Sequence, residues 1–240
     1  MDTQEWGPPG WKLIHSIAYQ YELDCLRQEK EYEKEYEKEC RQREKNIKIF
    51  FKSMRHLLPC IYCRRSYKIY IKELPLFSSK EKTERKFSLF KWTYDLHNKV
   101  NNKLKKQGYN HYENPLYKDV LKKYKDYFSK NKNCTEMGWK FLYSIIFNYD
   151  EGISITRKKA HVVFFYMLGK VLPNKLSRDK YNEHIRKYPI EKYMSSTKEL
   201  KKWIYLLEKR FKNKCCSYQH RCKSIEKYKV DKCSGHTCRL

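Results

Sequence analysis

Glycine and proline are scarce in this chain, with 7 of each among 240 residues. So few turn formers cannot supply the many tight connections of a sandwich or barrel. No G-x-G-x-x-G stretch follows an apolar β-branched run, which excludes a doubly wound dinucleotide-binding sheet. Long apolar runs are missing as well, and none approaches the roughly 20 residues needed to cross a bilayer. The first residues, Met1-Asp2-Thr3-Gln4-Glu5, are acidic and lack the apolar core of a signal peptide, so a protein without leader or membrane anchor is expected. Acidic residues are outnumbered, 28 against 54 Lys and Arg, for a formal charge of +26. Such a field suits an anionic partner, yet the lysines are spread over every segment and form no single patch, so nucleic acid is not the expected ligand.

What is abundant is Lys, Glu, Tyr and Leu, with apolar residues recurring at three- and four-residue spacing. The fold class expected is therefore all-α. Trp11, Ile14, His15, Ala18 and Tyr19 share one face of a first helix that follows the Pro/Gly-rich entry Trp6 to Gly10. Alone, His15 reads as a satisfied histidine beside a core stripe. The charge repeat from Glu29 to Glu39 suits a solvated extension or a helical connector. Cys25 and Cys40 on that stretch read as free thiols or intermolecular links. Further helices are predicted over 46–57, 64–73 and 87–105, with a short one ending at Tyr127. On the 87–105 helix His97, Val100, Asn101 and Leu104 share a face, with Asn98 on its flank.

The chemistry lies in Pro59-Cys60-Ile61-Tyr62-Cys63. Two cysteines two residues apart can close a small disulfide, and a helix N-terminus there favours the thiolate, the nucleophile of thiol-disulfide exchange. The same spacing also serves as half a zinc site. Ten cysteines in all are a puzzle for a protein of a reducing cytosol.

The polar run Ser129 to Asn133 marks a linker, and the segment after it repeats the first block. Gly138-Trp139-Lys140-Phe141-Leu142-Tyr143-Ser144 matches Gly10-Trp11-Lys12-Leu13-Ile14-His15-Ser16, and Val171-Leu172-Pro173 echoes Leu57-Leu58-Pro59. Lys202-Trp203 echoes Lys91-Trp92. The repeat has lost its chemistry: Asn174 and Ser177 stand for Cys60 and Cys63, Tyr143 for His15, Glu208 and Lys209 for His97 and Asn98. The domains expected are 1–128, a degenerate helical copy at 129–214 and a cysteine-rich tail at 215–240.

Trp6-Gly7-(x)3-Trp11-(x)3-His15, then Pro59-Cys60-x-x-Cys63, then His97-Asn98-x-Val100-Asn101 resemble, in that order, the signature of the Erv/ALR family of FAD-linked sulfhydryl oxidases. The resemblance covers about residues 6 to 127 and is nearest to the oxidases of nucleocytoplasmic large DNA viruses. It implies a four-helix bundle with a short fifth helix, holding FAD, that passes electrons from protein dithiols to O2 and yields disulfides and H2O2. It further implies Cys63 as the sulfur beside the flavin and Cys60 as the one that exchanges with incoming thiols. Trp6, Gly7, Trp11, His15, Tyr19, His97, Asn98, Val100, Asn101, Lys103 and Lys106 would bind FAD, the lysines at its pyrophosphate, with Tyr117 closing the site. Flavin-free second modules that pack as a pseudo-dimer occur in this family, so a homodimer or pseudo-dimer is expected. Protein dithiols, or a thioredoxin-like carrier, are the implied substrates, and host cytoplasm or virion the implied place. The family's structural disulfide between its third and fourth helices has no counterpart, because 70–90 holds no cysteine. Pro8 and Pro9 also depart from the family's polar residues after Trp-Gly.

The tail carries Cys215, Cys216, Cys222, Cys233 and Cys238 with His220 and His236. A shuttle disulfide of Cys233 with Cys238, a zinc site and plain structural disulfides, with Cys134 as a partner, all fit. The competing function is a non-catalytic basic helical module with a Cys/His zinc site. The joint presence of His15 and the His97 helix argues against it, and a missing βαβ pattern against a thioredoxin-like reductase. No metal is assigned.

Overall fold

A computed structural model describes residues 2–26, 33–77, 88–109, 113–130 and 137–212. These hold nine α-helices, one 3-10 turn and no strand, the all-helical class expected. The tail, with Cys233 and Cys238, and Cys134 lie outside the described residues.

Helix α1 (Thr3–Leu26) starts upstream of the expected Pro/Gly entry and runs through Pro8 and Pro9. Proline at those positions removes the N–H groups that would reach the carbonyls of Gln4 and Glu5. Both of those residues are exposed, so water can take their place. Helix α2 (Glu33–Leu57) takes in the later part of the charged repeat. Helix α3 (Ile61–Glu73) opens directly after Cys60 and α4 spans Leu89–Lys106. Helix α5 (Tyr117–Lys130) includes Ser129 and Lys130, so those residues are its last turn and not the start of a linker.

In this first half α1 packs on α4 and α2 on α3. Leu13, Ile17, Phe50, Phe51, Phe90 and Leu96 of these helices are fully buried, and each such side chain contributes about 1.5–3 kcal/mol over an exposed one. Glu22 reaches from α1 to the start of α4, where its carboxylate accepts from Ser88 Oγ at 2.6 Å and from the Phe90 N–H at 2.8 Å. An acidic group there satisfies an orphan donor and complements the helix dipole.

The second half holds α6 (Trp139–Phe147), α7 (Ile155–Val171), α8 (Lys175–Lys187), the 3-10 turn Ile190–Tyr193 and α9 (Thr197–Lys212). Helix α7 lies along α2, and α6 along α1. The contacts across this seam are reciprocal. Phe50 of α2 stacks on Phe164 of α7 with ring centroids 5.0 Å apart. A Cβ on Gly10 would come within 3.1 Å of the Phe141 ring, and one on Gly138 within 3.2 Å of Leu13 and 2.8 Å of the Pro9 carbonyl. Gly138 also has φ +60°, so this position suits glycine twice over.

Candidate active site

The dithiol sits where α2 stops and α3 starts. The Leu58 N–H makes the last α2 bond, to Met54 O at 3.1 Å, and Pro59 offers no donor to continue it. Cys60 is the N-cap of α3, in extended conformation, and its Sγ accepts from the Cys63 N–H at 3.3 Å. A sulfur in that place feels the positive end of the helix, which favours its anion. Arg64 adds a guanidinium close to both cysteines and donates to the carbonyls of Leu58 at 2.6 Å and Pro59 at 3.2 Å. Cys60 is buried at 4% exposure, and Cys63 is half-buried.

Both sulfurs line a cavity of about 910 Å³, near the upper end of the range for small-molecule sites. Around the dithiol its wall is apolar and aromatic, with Met54, Leu58, Tyr62, Tyr67 and Trp11. Lys12, Lys103, Lys123 and Lys130 also face it, against Asp119 and Asp126, so the wall carries net positive charge. Lys103 donates to Ser66 at 2.8 Å and so ties α4 to α3 beside the cysteines.

His15 and His97 form the far side of one relay. Thr93 donates its hydroxyl to Phe90 O at 2.8 Å, so towards His15 Nδ1, 2.9 Å away, it acts as acceptor. His15 is then the Nδ1–H tautomer, its Nε2 accepts from Nδ1 of His97 at 3.2 Å, and Nε2 of His97 is left as an acceptor. Burial, and for His15 the neighbouring His97 as well, lowers the two imidazoles to about 3 and about 4, so both are neutral at pH 7. Trp11 stacks on His97 with centroids 4.0 Å apart at 11°. Flat, neutral rings with one free acceptor are surfaces on which a planar heteroaromatic ligand can lie.

Cys60, Cys63, Trp6, Gly7, Trp11, His15, His97, Val100, Asn101 and Lys103 all lie on this one wall. Tyr19, Asn98, Lys106 and Tyr117 do not. A four-residue step turns a helix by 40° beyond a full turn, so Tyr19, two such steps from Trp11, packs behind the wall on Phe128 with centroids 5.2 Å apart. Lys106 lies in the exposed last turn of α4, and Tyr117 stands edge-on to Tyr94. Ser66, Tyr67 and Tyr70 follow Cys63 at helical spacing and could have been found by it; Tyr124, Tyr127 and Lys123 on α5 had no motif to mark them. Phe141 reaches the wall from the second half of the chain. Among the described residues no three His, Cys, Asp or Glu side chains are grouped as a metal ion requires, and no helix is long and apolar enough to cross a membrane.

In the second half the positions that the sequence repeat aligns with these also meet, with different chemistry. Tyr143 donates its hydroxyl to Glu208, where His15 met His97. The Asn174 side chain accepts from the Ser177 N–H at 2.7 Å, where Cys60 accepts from Cys63.

Residues 9–125 match the family model described as Erv1 / Alr family. Among curated proteins, the chain is 31% identical over 101 residues to a probable FAD-linked sulfhydryl oxidase of Acanthamoeba polyphaga mimivirus, covering 42% of this chain and 59% of that protein. It is 30% identical over 106 residues to the mitochondrial FAD-linked sulfhydryl oxidase of Saccharomyces cerevisiae, covering 44% of this chain and 46% of the yeast protein. The chain thus spans about half the length of the curated relatives it matches. No solved structure matches it.

Proposed function

Because residues 9–125 match the Erv1/Alr family model, we propose that this chain is an FAD-dependent thiol oxidase whose redox pair is Cys60 and Cys63. The observation that carries the reading is a dithiol on the wall of a cavity of about 910 Å³, together with Trp11, His15 and His97. The overall reaction is 2 R–SH + O2 → R–S–S–R + H2O2, with protein dithiols as substrate.

The residues fit FAD. Trp11, His15 and His97 offer ring faces, Asn101 and His97 Nε2 polar contacts, and Lys12, Lys103, Lys123 and Lys130 the positive charge a pyrophosphate needs. Bound there, FAD would supply a two-electron acceptor for the reduced cysteine pair, with O2 as the terminal oxidant. A substrate thiolate attacks Cys60 of the closed pair, Cys63 leaves as thiolate, and a second substrate thiol displaces Cys60 to release the substrate disulfide. The Cys63 N–H and Arg64 favour the Cys60 anion in that last displacement. Cys60 is 4% exposed, so its sulfur must become more accessible before a protein thiolate can attack it; the neighbouring Ile61 is exposed.

Residues 137–212 are in this reading a flavin-free copy that pairs with the first as a second subunit would, leaving one flavin per chain. Purified protein should show flavin absorption at one equivalent per chain and consume O2 on addition of dithiothreitol, with peroxide accumulating. A colourless protein that consumes no O2 would overturn the proposal, and two flavins per chain would overturn the flavin-free second half.

A further inference from the structure

Cys25 in the last turns of α1 and Cys40 in α2 stand with their Sγ atoms 2.9 Å apart. Neither lines the large cavity, so the pair is separate from the dithiol described above. Its helices are clamped next to it by other groups. Arg43 Nη1 on α2 meets Asp24 on α1 at 2.7 Å, and Gln20 donates to the other Asp24 oxygen at 2.6 Å. The approach of the two sulfurs is therefore set by the docking of α1 on α2.

We propose that Cys25 and Cys40 form an intramolecular disulfide that staples α1 to α2. Closing it needs the sulfurs, already 2.9 Å apart, to move in to about 2.05 Å. Formation balances by exchange with a low-molecular-weight disulfide such as oxidised glutathione. One cysteine attacks it and releases a first small thiol, and the other cysteine then displaces the second; two thiol hydrogens and two electrons leave on the two small thiols. Burial and the adjoining Cys40 push the Cys25 thiol up to about 12. In the folded protein exchange is therefore slow in both directions, and the bond once made persists.

The staple binds two walls of the cavity to each other. Helix α1 carries Trp11 and His15, while α2 carries Met54 and delivers Pro59 and Cys60. This is a cross-link between the first and second helices of a bundle in which 70–90 contains no cysteine to join the third and fourth.

The test is a disulfide map of the full chain refolded from denaturant in a buffer of reduced and oxidised glutathione, where both thiols can react before they are covered, then alkylated in denaturant without reductant. A peptide pair joining Cys25 to Cys40 that separates on reduction is expected; alkylated Cys25 and Cys40, or bonds to other cysteines, overturn the proposal. As an independent measure, Cys25→Ser, Cys40→Ser and the double variant should each lower the thermal midpoint by the same amount, about 5–10 °C. Losses that add in the double variant, or no loss, mean two separate thiols and overturn the staple. Neither readout depends on flavin binding or thiol turnover.

Discussion

Trp92 donates its indole N–H to Leu74 O at 3.0 Å in the first half, and Trp203 donates to Tyr188 O at 2.8 Å in the second. Phe51 stands edge-on to Trp92 with centroids 4.9 Å apart, and Phe165 edge-on to Trp203 at 5.1 Å. Arg64 donates to the carbonyls of Leu58 and Pro59; Arg178 donates to those of Leu172 at 2.8 Å and Pro173 at 3.0 Å. These shared contacts sit where the halves have no chemistry in common, so they belong to the frame. Among the differences, two fall at the site: a dithiol against Asn174 and Ser177, and two neutral imidazoles against Tyr143 and Glu208. The comparison separates residues that build the bundle from residues that do something in it. Arg64, which proximity alone would rank with the cysteines, falls in part on the building side.

The sharpest way to break this comparison is at the cysteine positions. Cys60→Ser and Cys63→Ser should each lower dithiothreitol oxidation by about 10³-fold or more while flavin stays bound; Asn174→Ala should leave turnover unchanged and cost only the about 1 kcal/mol of a lost N-cap. Activity loss in Asn174→Ala equal to that of Cys60→Ser would end the distinction between the halves. Next come the facing polar pairs. His15→Ala should weaken flavin retention by about tenfold or more, read as flavin absorbance after dialysis. Glu208→Ala removes a buried acceptor from Tyr143, so about 1–3 kcal/mol of stability should be lost with the flavin ratio unchanged.

A third test reads both halves together through pH. Burial lowers His15 to about 3 and His97, His161 and His184 to about 4, against an ordinary value near 6.5 in the unfolded chain. The unfolded chain therefore binds more protons below that value, and stability must fall as pH drops from about 6.5 towards 4, by about 2 kcal/mol per fully buried histidine at pH 5. A thermal midpoint flat from pH 7 to 4.5 would mean that these rings are not held neutral. The smallest expected effect is the most discriminating: Arg64→Met and Arg178→Met should lose similar stability, about 1.5 kcal/mol each. Only a further drop in turnover for Arg64→Met would show that its charge also assists the thiolate.

The helices themselves were legible because three- and four-residue spacing of apolar side chains survives in a sequence crowded with lysine. The start of α1 was not, since Pro8 and Pro9 read as a stop and become tolerable only where the freed carbonyls face water. Ten of the predicted binding and redox residues share one wall because motif order had already fixed their helices. Tyr19 and Lys106 lie off that wall for a simpler reason: a helical face is a drifting stripe, and its end does not look where its middle looks. Tyr124, Tyr127 and Phe141 stayed hidden, because only the packing of separate helices decides which face of an aromatic stripe meets a cavity and which meets core. Cys25 and Cys40 make the same point, since the charged stretch between them says nothing about a meeting of sulfurs that the docking of α1 on α2 brings about.

The Phe50–Phe164 stack joins surfaces that belong to one polypeptide. Two separate subunits meeting through such a seam would part on dilution, and their melting temperature would track protein concentration. Here each surface finds the other at an effective concentration set by the connecting chain alone. A cavity wall completed by Phe141 from across the seam is thus as complete in one isolated molecule as in a crowded solution.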